Sequence, residues 1–292
     1  MSNIRLAEPV FLSVQGEGNR TGVLTVFVRL FGCNLRCPGF MTEYPTSPDN
    51  IVHQHELVEG ILEKKYKNVL DLPVIDFGCD SLYAVDARFK SLAINMTLTS
   101  LGNAITPLLY EGKWEHPVTN NKIDLCFTGG EPMLQQQAMI DIIQECRTWP
   151  MTTPDIIQIE TNGTRPIEDA FSNSLFNKTI NWNISPKLFN VSGEKDAINI
   201  DVIKQYQRVS PLGCLKFVIN NSDDAWDELN TTVKKMRDHG IKFPIYVMPV
   251  GASREQQSDI NVISAIATRA IKNGYHVSGR LHCLLFANTI GT

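Results

Sequence analysis

The sequence predicts an α/β protein: a parallel sheet with helical crossovers, open or partly closed into a barrel. Three observations predict it. Six short apolar runs rich in Val, Ile and Phe recur along the chain: TVFVRLF (25–31), KIDLCFTG (122–129), DIIQIET (155–161), TINWNIS (179–185), CLKFVIN (214–220) and FPIYVMP (243–249). Amphipathic stretches lie between them, the alternation expected of strands joined by helical crossovers. The chemically informative residues Cys33, Gly129, Glu160, Ser185 and Pro249 fall at or just past the end of a run. Parallel sheets bind ligands at that end. Six strands suit an open or partial barrel better than a closed eight-stranded one.

In chain order, the first run leads straight into Cys33. Residues 38–78 then break the rhythm. They begin with the loop-like PGFMTEYPTSPDN and continue into IVHQHELVEGILEKKY (51–66), which has the pattern of a helix. We read 38–78 as an insertion with its own small element, and 82–118 as partly helical. A helix is expected over 133–149. Another is expected over 222–240, opening on a Ser-Asp-Asp cap and closing on a basic turn and Gly240. A third is expected over 253–274. There is no internal repeat or low-complexity tract, and we expect residues 1–292 to form one domain.

Composition narrows the function. The chain has 292 residues, 43% hydrophobic and 20% charged, enough for a sizeable core. A formal net charge of −4 and a pI near 5.9 argue against a surface built for nucleic-acid backbones. MSNIRLAEPVF lacks the pattern of a signal peptide. No run approaches the roughly 18 apolar residues of a membrane span. We therefore expect a cytoplasmic protein without a direct nucleic-acid or membrane partner. In a reducing compartment its seven cysteines are expected to be buried, metal-bound or catalytic rather than paired.

Four motifs carry chemistry. Cys33 and Cys37 are either two buried thiols at a strand end or thiolate ligands of zinc or an iron–sulfur cluster. CFTGGEP (126–132) ends a strand in two glycines, which let a ligand approach the backbone. Glu131 in it could accept hydrogen bonds from an ammonium group. The plain alternative is a turn with Pro132 at the first helical position. It is no P-loop, because no G-K-[ST] follows. IETNGT (159–164) and ISPK (184–187) each place polar groups directly after an apolar run. One such case is an ordinary solvated turn, whereas several at successive strand ends point to a shared polar pocket.

GCNLRC, TGGEP, IETNGT and ISPK, in this order, resemble the radical S-adenosylmethionine enzymes. The stretch FLSVQGEGNRTGVLTVFVRLFGCNLRC (11–37) resembles the 7-carboxy-7-deazaguanine synthase family more narrowly. The resemblance implies a partial (β/α)6 TIM-like barrel of the radical SAM type. It also implies a cluster loop with three cysteines, the last followed by Asp-Thr. Here Phe40 stands where C-x3-C-x2-C would place the third cysteine. Cys79-Asp80-Ser81 is the nearest echo of the expected Cys-Asp-Thr. We therefore expect Cys33, Cys37 and Cys79 to hold a [4Fe–4S] cluster, with 38–78 inserted inside the cluster loop. Loop-closure entropy grows only slowly with length, so such a loop is feasible.

By the same resemblance, S-adenosylmethionine should be lined by Gly130, Glu131, Glu160, Thr161, Ser185, Lys187, Met248, Pro249, Val250 and Gly251. The family usually has Gln where Met248 stands. The substrate should be 6-carboxy-5,6,7,8-tetrahydropterin. Arg29 is expected on its carboxylate, with Thr128 at that end. Val14, Gln15, Gly16 and Glu17 are expected at the ring edge, with His282 and the Thr292 carboxylate folded over it. Magnesium is expected near the substrate carboxylate with Ser81 as ligand. No catalytic side chain is assigned, since the radical comes from the cofactor. The resemblance further implies a homodimer and an electron donor such as a flavodoxin. Two rival readings share parts of this pattern: a glycyl-radical activating enzyme and a zinc-binding interaction module.

Overall fold

Seven strands run parallel and lie side by side in chain order, so each crossover steps to the next position in the sheet. The computed structural model describes residues 3–146 and 152–292. Short strands β1 (Ile4–Leu6) and β2 (Phe11–Val14) both lie antiparallel to β3 (Leu24–Leu30), and β4 (Ile94–Met96) is antiparallel to β1. The parallel series continues with β5 (Asp124–Gly129), β6 (Ile156–Thr161), β7 (Thr179–Ile184), β8 (Gly213–Ile219), β9 (Ile245–Pro249) and β10 (His276–Val277). The ten-stranded sheet runs β10-β9-β8-β7-β6-β5-β3-β1-β4, with β2 paired to β3 off this path. All six runs expected as strands are strands, within a residue or two of the expected bounds. The four short strands were not expected, being too brief for a periodicity to register.

The helices are α1 (Asp49–Glu63), α2 (Leu98–Ile105), α3 (Gln136–Glu145), α4 (Asp169–Ser174), α5 (Phe189–Ser192), α6 (Ile200–Val209), α7 (Asp223–Asp238), α8 (Ile260–Asn273) and α9 (Leu281–Phe286). The Ser222 hydroxyl accepts from the Ala225 N–H at 3.3 Å and so caps α7 as expected. The helix expected from 253 starts only at Ile260. Asp259 caps it there, accepting from Asn261 N at 3.0 Å, and the Gln256 side chain holds the preceding residues as a turn. The helix expected over 133–149 begins as a tight 3-10 turn at Pro132. Its last expected residues, 147–149, lie outside the described residues.

The sheet has two unlike faces. Alternate residues such as Leu125, Phe127, Ile157, Ile159, Trp182, Leu215 and Phe217 are buried against the helices in one apolar core. Paired residues project to the same side. The register Arg29↔Thr128, Gln158↔Asn181 and Glu160↔Asn183 therefore gives the opposite face a polar lining. A second, smaller core gathers Val58, Ile61, Val69, Leu72, Ile75, Leu82, Tyr83, Ala84 and Phe89 around α1. The segment 38–78 thus has a helix and supplies half of a core of its own. Its ends meet: Gly78 N–H donates to the Phe40 carbonyl at 2.8 Å.

Candidate functional site

The polar face and the loops at the C-terminal strand ends enclose one cavity. Cys33 enters it directly from β3. Its sulfur accepts from the Leu35 N–H at 3.4 Å. Cys37 sits in the left-handed region at φ 47°, a conformation unusual for a residue with a Cβ. The Glu194 carboxylate holds it there, accepting from both Arg36 N (2.5 Å) and Cys37 N (2.6 Å). Cys79 arrives from the far end of the 38–78 segment. Gly32 N–H donates to Ala84 O at 2.7 Å, tying the root of the first cysteine loop to the chain just beyond Cys79. Gln54 of α1 donates to Arg36 O at 3.1 Å.

All three cysteines line this cavity. Burial pushes Cys33 up to about 11 and Cys79 up to about 12, and it raises Cys37 as well. Such thiols are no nucleophiles at neutral pH and become thiolates only against a bound cation. The positive charge of Lys187 favours the thiolate form at all three. Among the described residues no group of three or more His, Cys, Asp or Glu is gathered tightly enough for a single metal ion.

The two glycines after β5 explain how the cysteine loop fits. A Cβ on Gly130 would lie 2.5 Å from Gly32 O and 2.7 Å from Cys33 Cβ, and one on Gly129 would lie 2.1 Å from Leu30 O. Glu131 does not line the cavity. It is fully buried behind the wall, where it accepts from Met133 N (2.9 Å), Thr161 Oγ1 (2.7 Å) and Asn162 N (2.6 Å). Its carboxylate therefore ties β5 to β6, and the expected ammonium contact would fall to Gly130 and its neighbours. Ser185 and Lys187 meet at the cavity, Lys187 Nζ donating to Ser185 Oγ at 2.8 Å. Lys187 Nζ also lies 5.8 Å from the Phe40 ring centroid.

The deeper wall is a set of charged groups that satisfy one another. Arg29 Nε donates to Glu8 Oε1 at 2.5 Å, and Tyr83 OH donates to Glu8 Oε2 at 3.2 Å. Glu160 accepts from Thr128 Oγ1 (2.7 Å), Gln15 Nε2 (3.1 Å) and Asn183 Nδ2 (3.4 Å). It therefore stands with the residues expected at the substrate rather than apart with the cofactor set. Glu17 pairs with Lys216 and with Arg280 (2.9 Å), and His282 Nε2 lies 3.9 Å from it. Burial alone would raise Glu17, but Lys216 and Arg280 hold it well below the usual carboxylate range. Burial, then Arg280, lowers His282 to about 4, which keeps it neutral at pH 7. Arg280 also donates to Gly251 O at 2.7 Å and pairs with Asp80.

Every expected site residue except Glu131 lines this cavity, from Val14, Gln15 and Gly16 to Met248, Pro249, Val250, Gly251 and Thr292. Sequence reasoning missed Glu8, Asp80, Tyr83, Lys216 and Arg280. Lys216 could have been found: it is a charged residue in the apolar run CLKFVIN, at a position alternating with buried ones. Arg280 stands two residues before His282, with nothing in the local pattern to mark it.

Comparison with known proteins bears on this geometry. A 7-carboxy-7-deazaguanine synthase from Hyperthermus butylicus is 27% identical over 287 residues, 97% of this chain and 92% of that one. One from Pyrobaculum aerophilum is 24% identical over 289 residues, 99% and 97% of the two chains. The crystal structure of QueE from Escherichia coli matches at a TM-score of 0.52 and 17% identity over 96% of this chain and 95% of that one, a likeness of fold. Residues 14–168, more than half of the chain and spanning all three cysteines, match the family of 4Fe-4S single cluster domains. The chain belongs to that family.

Proposed function

We propose that this chain is a 7-carboxy-7-deazaguanine synthase, a radical S-adenosylmethionine lyase. It contracts the ring of 6-carboxy-5,6,7,8-tetrahydropterin to 7-carboxy-7-deazaguanine with release of ammonia. One observation carries the reading. Three cysteines share one cavity with a wall of paired charges suited to a small polar anion. The near full-length similarity to synthases of this name supports it.

Cys33, Cys37 and Cys79 would hold the [4Fe–4S] cluster, and Gly130, Thr161, Ser185, Lys187 and the 248–251 stretch would line S-adenosylmethionine. Bound there, these groups would supply one-electron chemistry for hydrogen abstraction from the substrate. The chain's own task is binding and orientation. Glu8 holds Arg29 by Nε, which leaves the rest of the guanidinium for the substrate carboxylate. Gln15 is fixed in one orientation by Gln158 (2.9 Å) and Glu160, and its Oε1 accepts from Glu17 N at 3.1 Å. Its position, with Glu17 and neutral His282, suits the donors and acceptors of a pterin edge. The Ser81 hydroxyl supplies a hard oxygen for Mg2+ beside the substrate carboxylate.

The singly wound parallel order with a polar inner face is how we read a partial (β/α)6 barrel, with 38–78 inserted in its cluster loop. Among the described residues no helix is long and apolar enough to cross a membrane. A cytoplasmic homodimer reduced by a flavodoxin-type donor completes the proposal, with the product feeding modified tRNA or DNA bases such as queuosine.

The test is anaerobic turnover of the reconstituted chain with S-adenosylmethionine, dithionite, Mg2+ and 6-carboxytetrahydropterin, read by mass spectrometry. 7-Carboxy-7-deazaguanine is the expected product. 5′-Deoxyadenosine formed without it refutes the substrate. The absence of both from a chain carrying its full iron refutes the activity.

A further inference from the structure

The cavity has a roof made by two stretches far apart in sequence. Met41, Pro73, Val74, Ile75 and Gly78 line it from the 38–78 segment, and residues 288–292 line it from the other side. The second stretch leaves α9 through two successive non-glycine residues in the left-handed region, Ala287 (φ 54°) and Asn288 (φ 57°). That backbone is unfavourable for residues with a Cβ and persists only where neighbours hold it. Local hydrogen bonds are few: Ala287 N to Cys283 O at 3.0 Å, Thr289 N and Oγ1 to Phe286 O at 3.1 and 2.8 Å, and Thr292 Oγ1 to Thr289 O at 2.7 Å. What holds the turn is apolar. Ile290 packs on the second core, to which the 38–78 segment contributes Val58, Ile61, Val69, Leu72 and Ile75. Next to it, a Cβ on Gly291 would lie 3.1 Å from Leu70 Cδ2.

We propose that the 38–78 segment is the mount for residues 287–292. Ile290, seated in that segment's core, is a positioning residue that sets Asn288 and Thr292 over the substrate. The segment thereby acts on substrate affinity, separately from the three cysteines and the cluster they would hold. The kinetic part of this inference rests on the function proposed above; the structural part does not.

The experiment uses the full chain with three single variants. Ile290→Ala removes the seated side chain. Val69→Ala loosens the seat at a residue that does not line the cavity. Val233→Ala makes a like-sized deletion in the main core as a control. Hydrogen–deuterium exchange over 287–292, measured without substrate, should quicken about fivefold or more in the first two and stay unchanged in the control. The KM for 6-carboxytetrahydropterin should rise about fivefold in the same two variants, with kcat and iron content unchanged. Unchanged exchange in Val69→Ala overturns the mount. Faster exchange with an unchanged KM overturns its role in affinity, as does a loss of iron in Val69→Ala. A chain that does not consume the pterin at all refutes the proposed function, while the exchange result still decides the mount.

Discussion

Replacing Arg280 by methionine should unfasten the site where its distant parts meet. The guanidinium is 12% exposed and holds Glu17 (2.9 Å), the Gly251 carbonyl (2.7 Å) and Asp80. Methionine keeps much of the stem and removes the charge. Glu17 retains Lys216, but Asp80 is left with only the Ser81 hydroxyl at 3.4 Å. Removing one partner of a buried pair costs about 3–5 kcal/mol; with Asp80 a quarter exposed, screening favours the lower end, about 3 kcal/mol. Burial alone would raise Asp80, and Arg280 more than offsets it, so the carboxylate now sits below its usual range. A lowered folded pKa stabilises above the unfolded value near 3.8 and is lost as pH falls through the folded one. The gap between wild type and variant should therefore be full at pH 7 and close in strong acid. Urea unfolding of the metal-free chain, at pH 7 and near pH 3, measures it. An Arg280→Met/Asp80→Asn double variant should recover part of the loss. A loss under about 1 kcal/mol at pH 7, or no recovery in the double variant, refutes the reasoning.

Further outcomes follow from other contacts. Cys79→Ser should lower the iron bound after reconstitution well below about four per chain, whereas Cys126→Ser, buried in β5 away from the cavity, should leave it unchanged. Gly130→Ala should displace the Cys33 loop by steric overlap and cost about 2 kcal/mol or more, read by thermal unfolding, with reduced iron uptake. His282, lowered to about 4 by burial, then Arg280, and opposed by Glu17, Asp80 and Glu160, should contribute stability above pH 6.5 that is lost as pH falls toward 4. The full effect is about 3 kcal/mol, and His282→Gln should flatten the unfolding curve across that window.

What the sequence made legible, and what it did not, follows from range. Six of the seven parallel strands announced themselves because each is buried on its helix-facing side, which leaves a dense apolar run with polar interruptions. Of the interruptions, Arg29, Thr128 and Glu160 took their expected roles from the resemblance, and all three line the cavity. Cys79 could be paired with Cys33 and Cys37 only through the resemblance, since its neighbours Asp80 and Ser81 are unremarkable alone. The Glu8–Arg29–Tyr83 and Asp80–Arg280–Glu17 contacts join residues 21 to 263 apart in sequence, and no local pattern encodes such pairs. Glu131 stands apart from the other expected residues. An acid beside two glycines reads as a ligand contact, yet three protein donors already claim it.

The hydrogen bond between Gly78 and Phe40 makes residues 40–78 a closed excursion. Chain leaves and returns at nearly the same point, so the stretch can change length without separating its two ends. Joining Gly39 directly to Cys79 would restore C-x3-C-x2-C followed by Asp-Ser. Ancestral and extended forms of the loop would then differ in length but share one set of anchor points. The same property makes residues 41–77 a natural splice point for grafting a foreign module onto this scaffold.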